Sequence, residues 1–290
     1  MRGVGSEGLG LAMAAGAACC FGLTAVQAGI SYEEGNEPIA LVIARFLAVV
    51  VLTYPLALLR GIDLALPLRS WGLMVGMAAG SLGIAFGYMT AIDHLPVSLA
   101  VLIFYTFPLL VTLAESLLRR RVPSTRLLIA LPVGLLGLAL ALGAHFEGLN
   151  LYGVALGVLA ALSAIPLFLC ARVLAQRHDG VTLTAHCNLL GLLVAVALVA
   201  GHDEVTLPGT TLGWATTVGA CLAFVAAFLL QMAAVARVTA GRVAMMSNAE
   251  PLLTILIAWA FLGQALGGVQ WLGVALILGA LFLVVEPQHS

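Results

Sequence analysis

The fold class this sequence predicts is an all-α polytopic membrane protein, with ten transmembrane helices laid out as two inverted five-helix repeats. Three observations predict it. The chain is 62% hydrophobic and only 9% charged over 290 residues, where soluble domains carry about 25% charged residues; its mean hydropathy is +1.15. The apolar residues fall in blocks of about twenty, enough to cross a hydrocarbon core of roughly 30 Å at about 1.5 Å per residue. Matching residues also recur at a fixed offset, as between Gly10 and Gly153.

Turn residues and charges cut the chain into spans at about 8–30, 38–59, 70–91, 97–118 and 125–143, then 150–172, 182–200, 210–235, 242–263 and 268–285. The first block follows a single arginine, Arg2, exceeds the length of a signal-peptide core and lacks a convincing small-residue cleavage site, so it reads as a retained span. Gly35-Asn36 turns the chain into the second span, Leu66-Pro67 into the third and Pro208-Gly209 into the eighth. Arg119-Arg120-Arg121 closes the fourth span and reads as a loop anchor, since basic runs this short do not suit nucleic acid. The five cysteines all fall inside spans, without C-x-x-C spacing or a nearby histidine, and read as small packing residues rather than metal ligands.

Charge fixes an expected orientation. With the N-terminus inside, eleven of the twelve basic residues fall in or beside cytoplasmic segments, and the twelfth, Arg45, lies within a span. The opposite loops hold Glu33, Glu34, Glu37, Asp93, Glu147, Asp203 and Glu204 without any Arg or Lys. This is the positive-inside pattern, and it predicts cytoplasmic N- and C-termini in a plasma (inner) membrane.

Shifting the chain by 143 residues aligns Gly10 with Gly153, Ala17-Ala18 with Ala160-Ala161, Ala91 with Ala234, and Pro108-Leu109-Leu110 with Pro251-Leu252-Leu253. The expected units are residues 1–146 and 147–290, five spans each. An odd span count starts the second unit on the other side of the membrane, so the repeats are inverted, a recurring design of secondary transporters with sites at the repeat interface.

The run Ala249-Glu250-Pro251-Leu252-Leu253-Thr254-Ile255-Leu256-Ile257-Ala258-Trp259, continuing through Gln270-Trp271-Leu272-Gly273 to Gly279, resembles the last two spans of EamA-type transporters of the drug/metabolite transporter superfamily. Phe107-Pro108-Leu109-Leu110 is similar to the fourth span of that family, and Ala44-Arg45-Phe46 to its second-span arginine motif. The chain departs from the family at Gly263-Gln264, where Gly-Glu is usual, and at Arg120-Arg121 in the first half. The resemblance covers nearly the whole chain and implies export of amino acids, other metabolites or drugs.

Several in-span residues are candidates for that work. Glu250 sits eight residues into its expected span, or roughly 12 Å at helical rise. A carboxylate at that depth costs about 2.5–3.5 kcal/mol on insertion scales. It is the candidate for proton coupling, against a structural role beside Pro251. Arg45 is positioned to pair with a substrate carboxylate, with Glu250, or with backbone carbonyls. Tyr88 with Gln231, and Tyr105 with Asn248, are polar pairs at the repeat offset and suggest a cavity shared by both halves, against ordinary helix-to-helix hydrogen bonding. Pro108, Pro166 and Pro251 are hinge or kink candidates. Gly72, Gly76, Gly80, Gly83 and Gly87 form small-x-x-x-small runs that read as packing.

The expected function is therefore a secondary active transporter exporting small organic metabolites, amino acids among them, by alternating access, with proton coupling through Glu250. The second reading is an exporter of drugs or other lipophilic compounds, or a flippase; a channel or structural membrane subunit is the third. The expected partners are the lipid bilayer and a small-molecule substrate, with no nucleic acid and no nucleotide, because there is no G-x-x-x-x-G-K-[ST] and no lysine at all. No cofactor or metal is expected, and an enzyme is not, for the spans hold no aspartate and a single histidine, His186. Oligomeric state is open.

Overall fold

The computed structural model describes residues 4–143, 150–200, 206–261 and 266–285, so the expected outer-loop acids Glu147, Asp203 and Glu204, and Gly263-Gln264, lie outside the described residues. Among the described residues every regular element is helical: α1 (Val4–Glu33), α2 (Pro38–Leu59), α3 (Leu68–His94), α4 (Val97–Phe104), α5 (Phe107–Arg119) and α6 (Thr125–Ala141), then α7 (Leu151–Leu174), α8 (Gly180–Val199), α9 (Thr211–Arg237), α10 (Ala240–Met246), α11 (Ala249–Phe261) and α12 (Gly268–Val285). Among the described residues, seven apolar stretches are long enough to cross a membrane, one of them Val97–Arg119, which runs through α4 and α5. Two shorter apolar helices, α6 and α12, accompany them. This is an integral, multi-pass membrane protein.

Local chemistry explains where many helices start. Asn150 accepts hydrogen bonds from the N–H groups of Tyr152 (2.9 Å) and Gly153 (3.4 Å) ahead of α7. Asp179 accepts from Val181 N–H ahead of α8 (2.8 Å), and Thr210 from Gly213 N–H ahead of α9 (3.0 Å). Each cap satisfies donors that the first helical turn leaves without partners.

The expected single helices at 97–118 and 242–263 are each interrupted. The first breaks at Tyr105-Thr106 and the second at Ser247-Asn248. Hydropathy reads straight across both breaks, because apolarity does not depend on backbone conformation. The prolines also act otherwise than as mid-helix kinks. Pro108 occupies the first turn of α5 and Pro251 the third position of α11, where a missing N–H leaves no helical bond unmade. Pro166 alone of the three lies inside a helix, α7, as do Pro55 in α2 and Pro132 in α6.

Packing follows the sequence offset. α1 lies along α9 and α3 along α7, while α2 pairs with α8 and α6 with α12. A Cβ on Gly10 would lie 2.4 Å from the Val238 side chain and 2.8 Å from Arg237; one on Gly153 would lie 2.7 Å from Leu95 and 2.9 Å from His94. These two contacts are the same contact at the repeat offset. Val238 and Leu95 also end their helices alike, in extended backbone with the N–H bonded to Ala234 O and Ala91 O.

One packed pair is not repeated. At the arginine-rich end, α5 packs against α10: Glu115 Oε2 accepts from Gly241 N–H at 2.8 Å, and Glu115 pairs with Arg119 at 3.0 Å. Arg242, buried, donates to Val284 O at 2.7 Å and pairs with Glu7. Among the described residues the mirror pair, α4 with α11, does not pack in this way.

Candidate functional site

The two interruptions bring polar side chains together. Tyr105 ends α4 at the first break, and its hydroxyl donates to the carboxylate of Glu250, the second residue of α11. An acid in a first turn suits the positive end of the helix dipole. Tyr88 on α3 and Arg45 on α2 lie within electrostatic reach of Glu250. Glu250, Arg45 and Tyr88 are half-buried, while Tyr105 is buried.

Arg45 is held by its environment rather than by an ion pair. Its guanidinium lies over the Phe224 ring at 5.0 Å, and its buried Nε has no hydrogen-bond partner. Among the described residues it forms no salt bridge. On α11, the opposite face of Glu250's turn packs against α1, where a Cβ on Gly22 would lie 3.0 Å from Glu250 O.

Aromatic rings stand beside both Arg45 and Glu250. Phe224 meets Phe21 at 5.9 Å, Phe46 at 6.2 Å and Phe228 at 5.3 Å, which lines the Arg45 side. On the Glu250 side, Phe104 meets Tyr88 at 5.1 Å, Tyr105 at 5.2 Å and Phe107 at 5.0 Å. Such rings offer apolar surface and a negative face that favours cations. Sequence reasoning passed over these phenylalanines. The signal was their placement: Phe224 and Phe228 lie four apart on α9, seven and three residues before Gln231, and Phe104 and Phe107 flank Tyr105 at the first break.

The remaining candidates divide. Asn248 is buried at the second break and lines a cavity of about 220 Å³ together with Tyr105 and Thr106 from the first. Gln231 is buried on α9. Thus the structure unites Arg45, Tyr88, Tyr105 and Glu250, with Asn248 beside Tyr105. Elsewhere, His186 bonds Thr182 O at 2.9 Å and stacks near Tyr54 and Trp71.

A helical bundle of this length and apolarity, with a carboxyl at a broken helix near an arginine and aromatic rings, fits a membrane transporter. The chain belongs to the EamA-like transporter family, whose profile matches residues 8–143 and again 151–286. It is 27% identical over 210 residues to an uncharacterized transporter from Archaeoglobus fulgidus, a match covering 72% of this chain and 75% of that one. A crystal structure of a protein with 20% sequence identity superposes with a TM-score of 0.83, covering 94% of this chain and 95% of its own, and shares the fold.

Proposed function

We propose that this chain is a secondary active transporter of the plasma (inner) membrane that exports small organic metabolites by alternating access, with both termini cytoplasmic. The halves, residues 1–146 and 147–290, act as inverted five-helix repeats. The observation that carries this reading is the placement of one carboxyl, Glu250, at the meeting of two interrupted helices, facing Tyr105 and within reach of Arg45. Interrupted helices at a repeat interface are where secondary transporters hold substrate and coupling ions.

Roles follow from chemistry. Glu250 carries the coupling proton or meets a cationic group of the substrate. Arg45 meets an anionic group, and Tyr88 and Tyr105 orient the molecule between them. A zwitterion such as an amino acid satisfies both charges, and the phenylalanines accept its apolar part. Direction of access is supported by the unrepeated α5–α10 contact: with the arginine-rich end inside, it closes the cytoplasmic side.

The test is Glu250→Gln in proteoliposomes, after a thermal-shift screen of metabolites has named a transported compound. The expected result is loss of accumulation driven by a pH gradient, with exchange of labelled for unlabelled compound retained. Undiminished pH-driven accumulation would remove Glu250 from coupling.

A further inference from the structure

We infer that the turn between α5 and α6 holds one phospholipid with an anionic headgroup, bound by Arg120 and Arg121. Both arginines are exposed, and among the described residues no ion pair or side-chain hydrogen bond joins either of them. Other arginines at helix ends are engaged or stand singly. Arg119 pairs with Glu115, Arg237 donates to Ala233 O at 2.7 Å, and Arg242 donates to Val284 O at 2.7 Å. Arg60, Arg69 and Arg177 have no arginine beside them. The turn therefore presents two adjacent positive charges without a counter-charge.

The backbone holds the first of them in a conformation that favours glycine. Arg120 has φ 51° and ψ 40°, and among the described residues it alone, apart from glycines, has a positive φ. Helices usually end this way on glycine, which has no Cβ to strain. The N–H of Arg120 bonds to Leu117 O at 3.3 Å and that of Arg121 to Ser116 O at 3.1 Å, so both residues lie past the end of α5. The helix dipole accounts for a cation in the last turn, Arg119, but its effect fades beyond it. The flanking residues decide what anion fits. Leu117, Leu118 and Val122 are 78%, 74% and 87% exposed, so large apolar side chains stand outward on both sides of the basic pair. A soluble anion offers these nothing. A phospholipid meets both needs, its phosphate taking the guanidinium donors and its acyl chains covering the leucines. The headgroup carries net negative charge, since choline or ethanolamine would bring a third cation to the pair. The repeat counterparts of Arg120 and Arg121 are Gly263 and Gln264, so the basic pair is offered to one leaflet only.

Lipid binding is read without transport, so it stands or falls apart from the role given to Glu250. The purified protein is mixed with equimolar phosphatidylglycerol and phosphatidylcholine of identical chains, and native mass spectrometry counts the lipids retained. Expected is one phosphatidylglycerol per chain, held in preference to phosphatidylcholine. An arginine near an anionic surface is worth about fivefold in affinity, so Arg120→Gly combined with Arg121→Gln should cut the preference about twenty-five-fold. Glycine suits the positive φ at position 120, so this variant keeps its fold, which thermal unfolding checks. Arg60→Gln combined with Arg69→Gln removes the same charge elsewhere and should leave the preference intact. No preference in the unaltered protein overturns the proposal, as does an unchanged preference in the Arg120/Arg121 variant. An equal fall in the Arg60/Arg69 variant marks diffuse charge and overturns it too. So does displacement of the lipid by glycerol phosphate at matched ionic strength, which marks a site for soluble anions.

Discussion

Glu250 and its repeat counterpart Phe107 mark a chemical difference between the two halves. Both stand beside a proline in the first turn of a half-helix, and both face Tyr105, Phe107 by a ring contact at 5.7 Å and Glu250 by a hydrogen bond. Sequence made the acid conspicuous, because a carboxylate in an apolar run is costly. It could not show that the acid faces an arginine standing on an aromatic ring, since Arg45 and Phe224 lie far apart in the chain. That stack suggests a measurement. Arg45→Lys keeps the charge but loses the flat guanidinium over Phe224. With stacking worth about 0.5–2 kcal/mol, KM for an anionic or zwitterionic compound should rise about tenfold, with kcat nearly unchanged, in proteoliposome uptake. A fall in thermal stability with KM unchanged would make Arg45 structural instead.

At the scale of elements, apolar blocks and turn residues located the long apolar helices, because length and apolarity decide what can cross a bilayer. The two interruptions escaped. Their signal was present as polar residues placed just ahead of matched prolines: Tyr105 and Thr106 before Pro108, and Asn248 before Pro251. Proline favours a first turn, so this order marks a helix starting again rather than bending. The glycine runs of α3 read as packing surfaces, and most of them are. A Cβ on Gly80 would lie 2.6 Å from Ser163 O and 2.7 Å from Leu167 N, both backbone atoms of α7, whereas one on Gly72 meets nothing within 4 Å. Gly80→Ala should therefore destabilise the protein by about 1–3 kcal/mol through overpacking, while Gly72→Ala should be close to neutral. Thermal unfolding in detergent distinguishes them.

For the molecule as a whole, the contact between α5 and α10 is made at one end of the bundle and is not repeated between α4 and α11 among the described residues. Glu115 supplies the bond to Gly241 N–H, and its repeat counterpart is Ala258, so the opposite end cannot close by the same device. If access alternates, both ends must open and close in every cycle. In a cysteine-free background, one cysteine pair joining α5 to α10 and another joining α4 to α11 should each stop transport when oxidised, and reduction should restore it. A channel-like path would survive the α4–α11 link. The two repeats were legible from the shared offset of 143 residues, and the family profile matches once in each half, but the unrepeated α5–α10 contact was not, because it depends on how distant helices pack.

The doubled contact of Gly10 on Val238 and Gly153 on Leu95 has a consequence for assembly. During synthesis α1 enters the bilayer long before α9 exists, and it waits with its glycine groove unfilled while the intervening helices are made. Each half thus carries a socket that the other half plugs. A half made alone would expose the same socket beside a similar plug, α1 next to α3, and two such copies could complete each other. The chain is in this sense a dimer tied into one molecule, and the tie guarantees that the half carrying Glu250 meets the half carrying Phe107 at the matching place.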